Sequence, residues 1–197
     1  FAAATQDATS VLVAGVAALF AESISMGAVA YTSTRAGRDF YKSMVEQEER
    51  EIDEIPHKEI AEIRHIYLKK GFRGRLLSQI VEKITSNRQV WLDTMMTEEL
   101  RLFPEDASHP IKAAGVVFVA TLFGSAVPLL PFFFMSVQSA MIVSAALSTA
   151  TLFGIGAAKA KLTTGSWKRS GAELAAIGIL AAVAGYAIGK LLEVIFL

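Results

Sequence analysis

Charge is confined to the middle of this chain. Residues 35–112 hold 14 of the 19 Lys and Arg, 15 of the 19 Asp and Glu, and all three His. Residues 1–34 carry no Lys or Arg and only two acids, Asp7 and Glu22. Residues 113–197 carry seven charged residues. Apolar stretches on either side of a hydrophilic insert leave few folds open. A bilayer crossing takes about 20 apolar residues, and in lipid every backbone polar group must be satisfied within the segment. The apolar stretches therefore read as transmembrane helices, and no stretch alternates like a strand.

Composition narrows this further. At 53% hydrophobic residues and a mean hydropathy of +0.44, the chain is too apolar for an ordinary soluble domain. A formal net charge of zero gives no support for nucleic-acid binding. The chain has no cysteine, which excludes disulfides and thiolate metal sites, so a bound metal must rely on oxygen, nitrogen or thioether donors. No charged n-region precedes the first apolar run and no cleavage site follows it, so it is not a signal peptide. With Phe1 in place of a Met, the chain reads as part of a longer protein.

Four apolar segments are expected: about Ser10–Ser33, Ile111–Leu130, Pro131–Ala158 and Ser170–Leu197. Pro128 and Pro131 interrupt helix propagation, which predicts a tight hairpin between the second and third. The loop from Lys159 to Arg169 carries four cations and no acid, which places it in the cytoplasm. The charged insert then falls on the cytoplasmic side too. The expected organisation is a transmembrane helix over 1–34 that continues into a cytoplasmic helical domain over 35–110. Three transmembrane helices follow over 111–197. The fold class is an all-α membrane protein.

The insert reads as helices. The first segment continues to about Glu54, and Ile55-Pro56 ends it, since a residue before proline disfavours the helical region. A second helix over about 56–69 carries the stripe Ile60, Ile63, Tyr67. A third over about 73–85 carries Leu76, Leu77, Ile80, Val81 and Ile84. A fourth spans about 88–102 and leads into the Pro104–Pro110 link.

Carboxylates dominate the candidate chemistry. Glu48 and Glu51 stand i,i+3 on one helix face, and Glu59 and Glu62 repeat the spacing on the next. If Pro56 folds the second helix back on the first, four carboxylates converge, an arrangement that suits divalent cations. A solvated acidic face accounts for the same pattern. On the fourth helix, Leu92, Met95, Met96, Glu99 and Phe103 share a face while Glu98 points away. Glu99 then needs a partner, either a metal, with Met95 adding a soft sulfur, or a nearby arginine. Glu62-Ile63-Arg64-His65 is an E-x-x-H, by itself a weak signal for a di-iron bundle.

Within the first apolar segment, Glu22 and Met26 are i,i+4, with Ser25 beside them. An intramembrane acid marks an ion path, or else a helix–helix hydrogen bond. A carboxylate there takes a cation or protons in competition, which is the physical basis of antiport. Gly178, Gly185 and Gly189 give the last segment small-residue faces for close helix packing.

The string from Ala21 to Tyr31, the acidic helix pair, the run from Trp91 to Leu100 and the Pro128–Pro131 hairpin together resemble the vacuolar iron transporter family. The resemblance covers essentially the whole chain. It implies a five-helix, dimeric membrane protein that exchanges Fe²⁺, and often Mn²⁺, for protons. It also implies a cytoplasmic metal-binding domain between the second and third transmembrane helices. On this chain the implied metal ligands are Glu48, Glu51, Glu59, Glu62, Met95 and Glu99. The implied membrane-path methionine is Met26. The family's first helix, with its path aspartate, is absent apart from a tail at Phe1–Thr5. Where some members place a path glutamate this chain has Ala18, and Glu22, one turn later, is expected to substitute.

The reading that follows is a non-enzymatic, proton-coupled exporter of divalent metal from the cytosol, across a vacuolar membrane or, in a prokaryote, the cell membrane. Fe²⁺ is the bound substrate ion, with Mn²⁺, Zn²⁺ and Co²⁺ also accommodated, and no prosthetic group or nucleic acid is expected. Partners are metal ions, protons, the lipid bilayer and a second copy of the chain. The alternatives are a membrane-anchored di-iron carboxylate oxidase, which calls for a second E-x-x-H, and a non-transporting metal sensor.

Overall fold

A computed structural model describes residue 2 and residues 7–103, 109–163 and 165–196. Among the described residues there are helices and turns and no strand. The link expected at Pro104–Pro110 lies mostly outside them. By compactness the chain forms two units, Phe1–Ala28 with Ala114–Leu197, and Val29–Ala113. Helix α1, Ala8–Glu54, contributes to both. Its 47 residues rise about 70 Å, more than twice a hydrocarbon core of about 30 Å.

The first unit holds the apolar start of α1, then α5 (Pro110–Ala126), α6 (Val137–Leu162) and α7 (Trp167–Phe196). Among the described residues four helices are long and apolar enough to cross a membrane: Ala8–Glu54, Pro110–Phe133, Val137–Leu162 and Trp167–Leu191. The prolines do not form the expected hairpin. Val127–Phe133 is a 3₁₀-helix that extends α5, and the chain turns only after Phe133. Proline cannot donate to an i→i+4 ladder, but its fixed φ suits the tighter i→i+3 turn. The third segment accordingly begins at Val137 rather than near Pro131.

Close backbone approach holds these helices together. A Cβ on Gly156 would lie 2.5 Å from the Ser170 carbonyl oxygen and 2.9 Å from the Gly171 Cα. Gly178 leaves room for Leu152, and Gly27 lets α1 come against Ala114 and Phe118 of α5. Gly185 meets nothing within 4 Å. Large apolar side chains such as Phe123, Ile142 and Leu180 point outward, as lipid-facing positions do.

The second unit packs the remainder of α1 with α2 (Pro56–Lys69), α3 (Gly74–Thr85) and α4 (Arg88–Thr94). Pro56 occupies the first turn of α2, where its missing N–H costs nothing. Asn87 caps α4 by accepting from the Gln89 and Val90 amides at 3.0 and 3.2 Å. Arg88 then ties α4 back to α1 through a two-pronged ion pair with Asp53. The core is Ile52, Ile63, Leu77, Val81, Ile84, Trp91, Leu92, Met95 and Met96. Ile60, Tyr67 and Ile80 pack against it, but Leu76 of the expected α3 stripe is 54% exposed.

The expected fourth helix is the element that differs most. It stops at Thr94 and widens into a π-turn, Met95–Glu99, closed by the Leu100 amide on the Met95 carbonyl at 3.1 Å. A π-turn spaces bonded residues i→i+5 and re-aims the side chains around it. Phe103, expected on the buried face, is 67% exposed because the helix has ended before it.

Candidate metal centre

Three of the expected carboxylates meet. Glu48 on α1, Glu59 on α2 and Glu99 on the π-turn each place an oxygen within 4.8 Å of the others. The Ile55-Pro56 break makes this possible. It lets α2 restart at once, and Ile63 anchors α2 on the core with no exposure. Glu59, one turn before Ile63, is carried inward with it and is itself fully buried.

The electrostatics of this cluster are unfavourable as they stand. Both Glu59 oxygens and Glu48 Oε2 are buried with no hydrogen-bond partner among the described residues. Burial pushes the Glu48 carboxyl up to about 7, and the nearby Glu99, Glu59, Glu51 and Glu62 charges add to the shift. Glu59 is pushed up to about 7 by burial and by Glu62, Glu51 and Glu99, against a small opposing pull from Lys58. Glu99 is raised for the same first reason. Unpaired buried carboxylates take up protons or a cation. An all-oxygen donor set of this density fits a divalent ion of hard or borderline character.

The other expected residues surround the three without joining them. Glu51 accepts a hydrogen bond from Gln47 Nε2 at 2.9 Å. Glu62 is half-buried and pairs with Lys58 at 3.4 Å. Met95 opens the π-turn that Glu99 closes, and it is fully buried in the apolar core. The arginine partner that is the alternative to a metal at Glu99 is not among the ion pairs of the described residues. Its neighbour Glu98 stands outside the group of three and pairs with Lys70. His65 is exposed and belongs to no group of three metal-ligating side chains among the described residues.

In the first unit, Ser125 of α5 donates to Glu22 Oε2 at 2.9 Å. This gives the intramembrane acid a partner on a neighbouring helix. Met26, one turn on, is 43% exposed. Ser23, between them, is fully buried and bonded back to the Leu19 carbonyl at 2.7 Å. Sequence reasoning passed over Ser125. Its one signal is a hydroxyl in an otherwise apolar run, which alone does not set it apart from the threonines and other serines of the spans.

Comparison with known proteins agrees with this architecture. A model described as the VIT family matches residues 1–190. The chain is 31% identical over 191 residues to Vacuolar iron transporter 1 of Arabidopsis thaliana, covering 96% of the chain and 76% of that protein. It is 33% identical over 184 residues to Vacuolar iron transporter 1 of Tulipa gesneriana, covering 93% and 74%. It is 30% identical over 197 residues to Vacuolar iron transporter of Toxoplasma gondii, covering 95% and 65%.

Proposed function

The chain belongs to the VIT family, and from that membership we infer an integral membrane transporter of divalent metal ions with Fe²⁺ as its principal cargo. A transporter reading replaces the oxidase alternative: of the two E-x-x-H strings, Glu54–His57 is split by the α1–α2 join at Pro56, and His57 and His65 are both exposed. The observation that carries the metal assignment is the convergence of Glu48, Glu59 and Glu99 with three buried, unpartnered carboxylate oxygens. A divalent ion among them supplies the missing partner and offsets the burial cost and carboxylate repulsion that raise all three groups.

The mechanism follows from competition for oxygen lone pairs. Cytosolic metal displaces protons from the cluster, with Glu51 and Glu62 adding negative potential. The ion is then handed to the membrane path at Glu22 and Met26. Ser125 orients the Glu22 carboxylate by donating to one oxygen, leaving the other for the ion. Protons moving the opposite way occupy the same oxygens and release the metal, which makes the cycle an antiport. The cluster faces the cytosol because the basic 159–169 loop does. The membrane is that of a vacuole or equivalent compartment, and the working unit is a homodimer.

Ferrous uptake into proteoliposomes of the intact protein, with an imposed pH gradient and lumenal pH read together, tests this. Metal flux with opposing proton movement is expected. Metal binding without flux would leave the sensor alternative.

A further inference from the structure

A cavity of about 500 Å³ lies between the end of α2 and the π-turn. Glu62 and Glu99 form part of its wall, so it adjoins the carboxylate cluster. The rest of the wall holds the basic side chains Lys69, Lys70 and Arg101 with His65, one further acid, Glu98, and the uncharged Ile66 and Thr97. Lys70 is neutralised by Glu98. Lys69 and Arg101 form no ion pair or side-chain hydrogen bond among the described residues.

Two features of this cavity call for explanation. Cations beside a cation-collecting cluster oppose its work, because they repel an approaching metal. And Arg101 sits in the left-handed region at φ +55°, the only described non-glycine residue with positive φ. It occupies a helix C-terminus, where the Leu102 amide bonds the Met96 carbonyl at 2.8 Å and glycine is the usual residue. A side chain held there against backbone preference is a pointer to function. A ligand with several negative oxygens accounts for both features. Its volume range also fits, since small-ligand sites run roughly 300–1,000 Å³.

We propose that this cavity binds a small polyanionic metal chelator, a polycarboxylate or a phosphate, so that metal reaches the cluster as an anion complex. Lys69 and Arg101 hold the anion's oxygens by charge-assisted hydrogen bonds. Metal–oxygen bonds then pass one at a time from the anion to Glu99 and Glu62, with no change of oxidation state. The role of the anion rests on the carboxylate cluster being the metal site.

The test uses the intact protein in phosphatidylcholine nanodiscs, with radiolabelled citrate and inorganic phosphate as probes of the metal-free protein. Saturable binding of one or both is expected, and which one binds identifies the anion's class. Arg101→Gly and Lys69→Gln should each weaken it about tenfold or more. Mn²⁺ affinity in chelator-free buffer should stay the same or tighten. Arg101→Gly should also raise the melting temperature, because glycine suits φ +55°, so its loss of binding is not unfolding. No saturable binding of either anion, or equal binding in both variants, would overturn the proposal. The cluster is read separately: unchanged Mn²⁺ affinity in Glu59→Gln removes the metal site whatever the anions do.

Discussion

Glu48 on α1 and Glu59 on α2 bring carboxylate oxygens within 4.8 Å of each other, and three of their four oxygens are buried with no hydrogen-bond partner among the described residues. Two like charges so placed are tolerated only with protons or a cation between them. The metal-free cluster therefore carries a desolvation and repulsion cost that protons or a bound cation would offset.

Glu59→Gln tests that cost directly. The amide keeps the shape, removes one charge and donates to the remaining carboxylates. Mn²⁺ affinity should fall about tenfold or more, while the metal-free protein melts higher at about pH 7.5 than the parent. Calorimetric titration and a thermal scan in detergent read the two effects. A lower melting temperature would show that Glu59 has a stabilising partner when the site is empty.

The pH dependence has a definite sign. Glu48 and Glu59 have an ordinary value of 4.5 and are raised to about 7 when folded. Without metal, their contribution to stability is fully present below pH 4.5 and is lost as pH rises through about 7. Metal binds the deprotonated forms, so its stabilising effect grows over the same window. Melting temperatures with and without Mn²⁺ should diverge from about pH 5.5 to about pH 8. Parallel curves, or convergence at high pH, would contradict the assignment.

The Ser125–Glu22 bond separates transport from capture. Ser125→Ala removes a bond of about 1 kcal/mol and should slow ferrous uptake by severalfold, whereas Glu22→Gln should abolish it. Neither should alter Mn²⁺ affinity at the carboxylate cluster. Full transport in Glu22→Gln would remove that residue from the path.

Helix packing gives a fourth expectation. Gly156→Ala drives a methyl into the backbone at Ser170 and Gly171, which cannot swing aside as the nearby Leu174 side chain could. It should destabilise the protein by about 1–3 kcal/mol, seen as a lower melting temperature. Gly185→Ala meets open space within the chain and should leave monomer stability unchanged. Equal effects would mean that α6 and α7 are not closest at Gly156.

Much of the site was legible before any coordinates. The i,i+3 spacing of Glu48 with Glu51 and of Glu59 with Glu62, around a proline break, predicts convergence. The structure brings together one member of each pair with Glu99. Which member turns inward depends on helix rotation, and Ile52 and Ile63 decide that by burying themselves. The π-turn was not legible. Nothing in Met95–Glu99 forbids an ordinary helix, and the widened turn exists where both Met95 and Met96 are buried in one core. Ser125 was missed because its meaning comes from a residue 103 positions away.

By itself, then, the sequence determined what depends on local chemistry. Apolar length set the four spans, Pro56 set the join between α1 and α2, and the acid-rich insert set the candidate donors. Tertiary structure alone decided which carboxylates lose their water, which serine reaches Glu22, and that Lys69 and Arg101 share a cavity with Glu99. These relations rest on desolvation and distance between helices far apart in the chain, and no local pattern of residues encodes either.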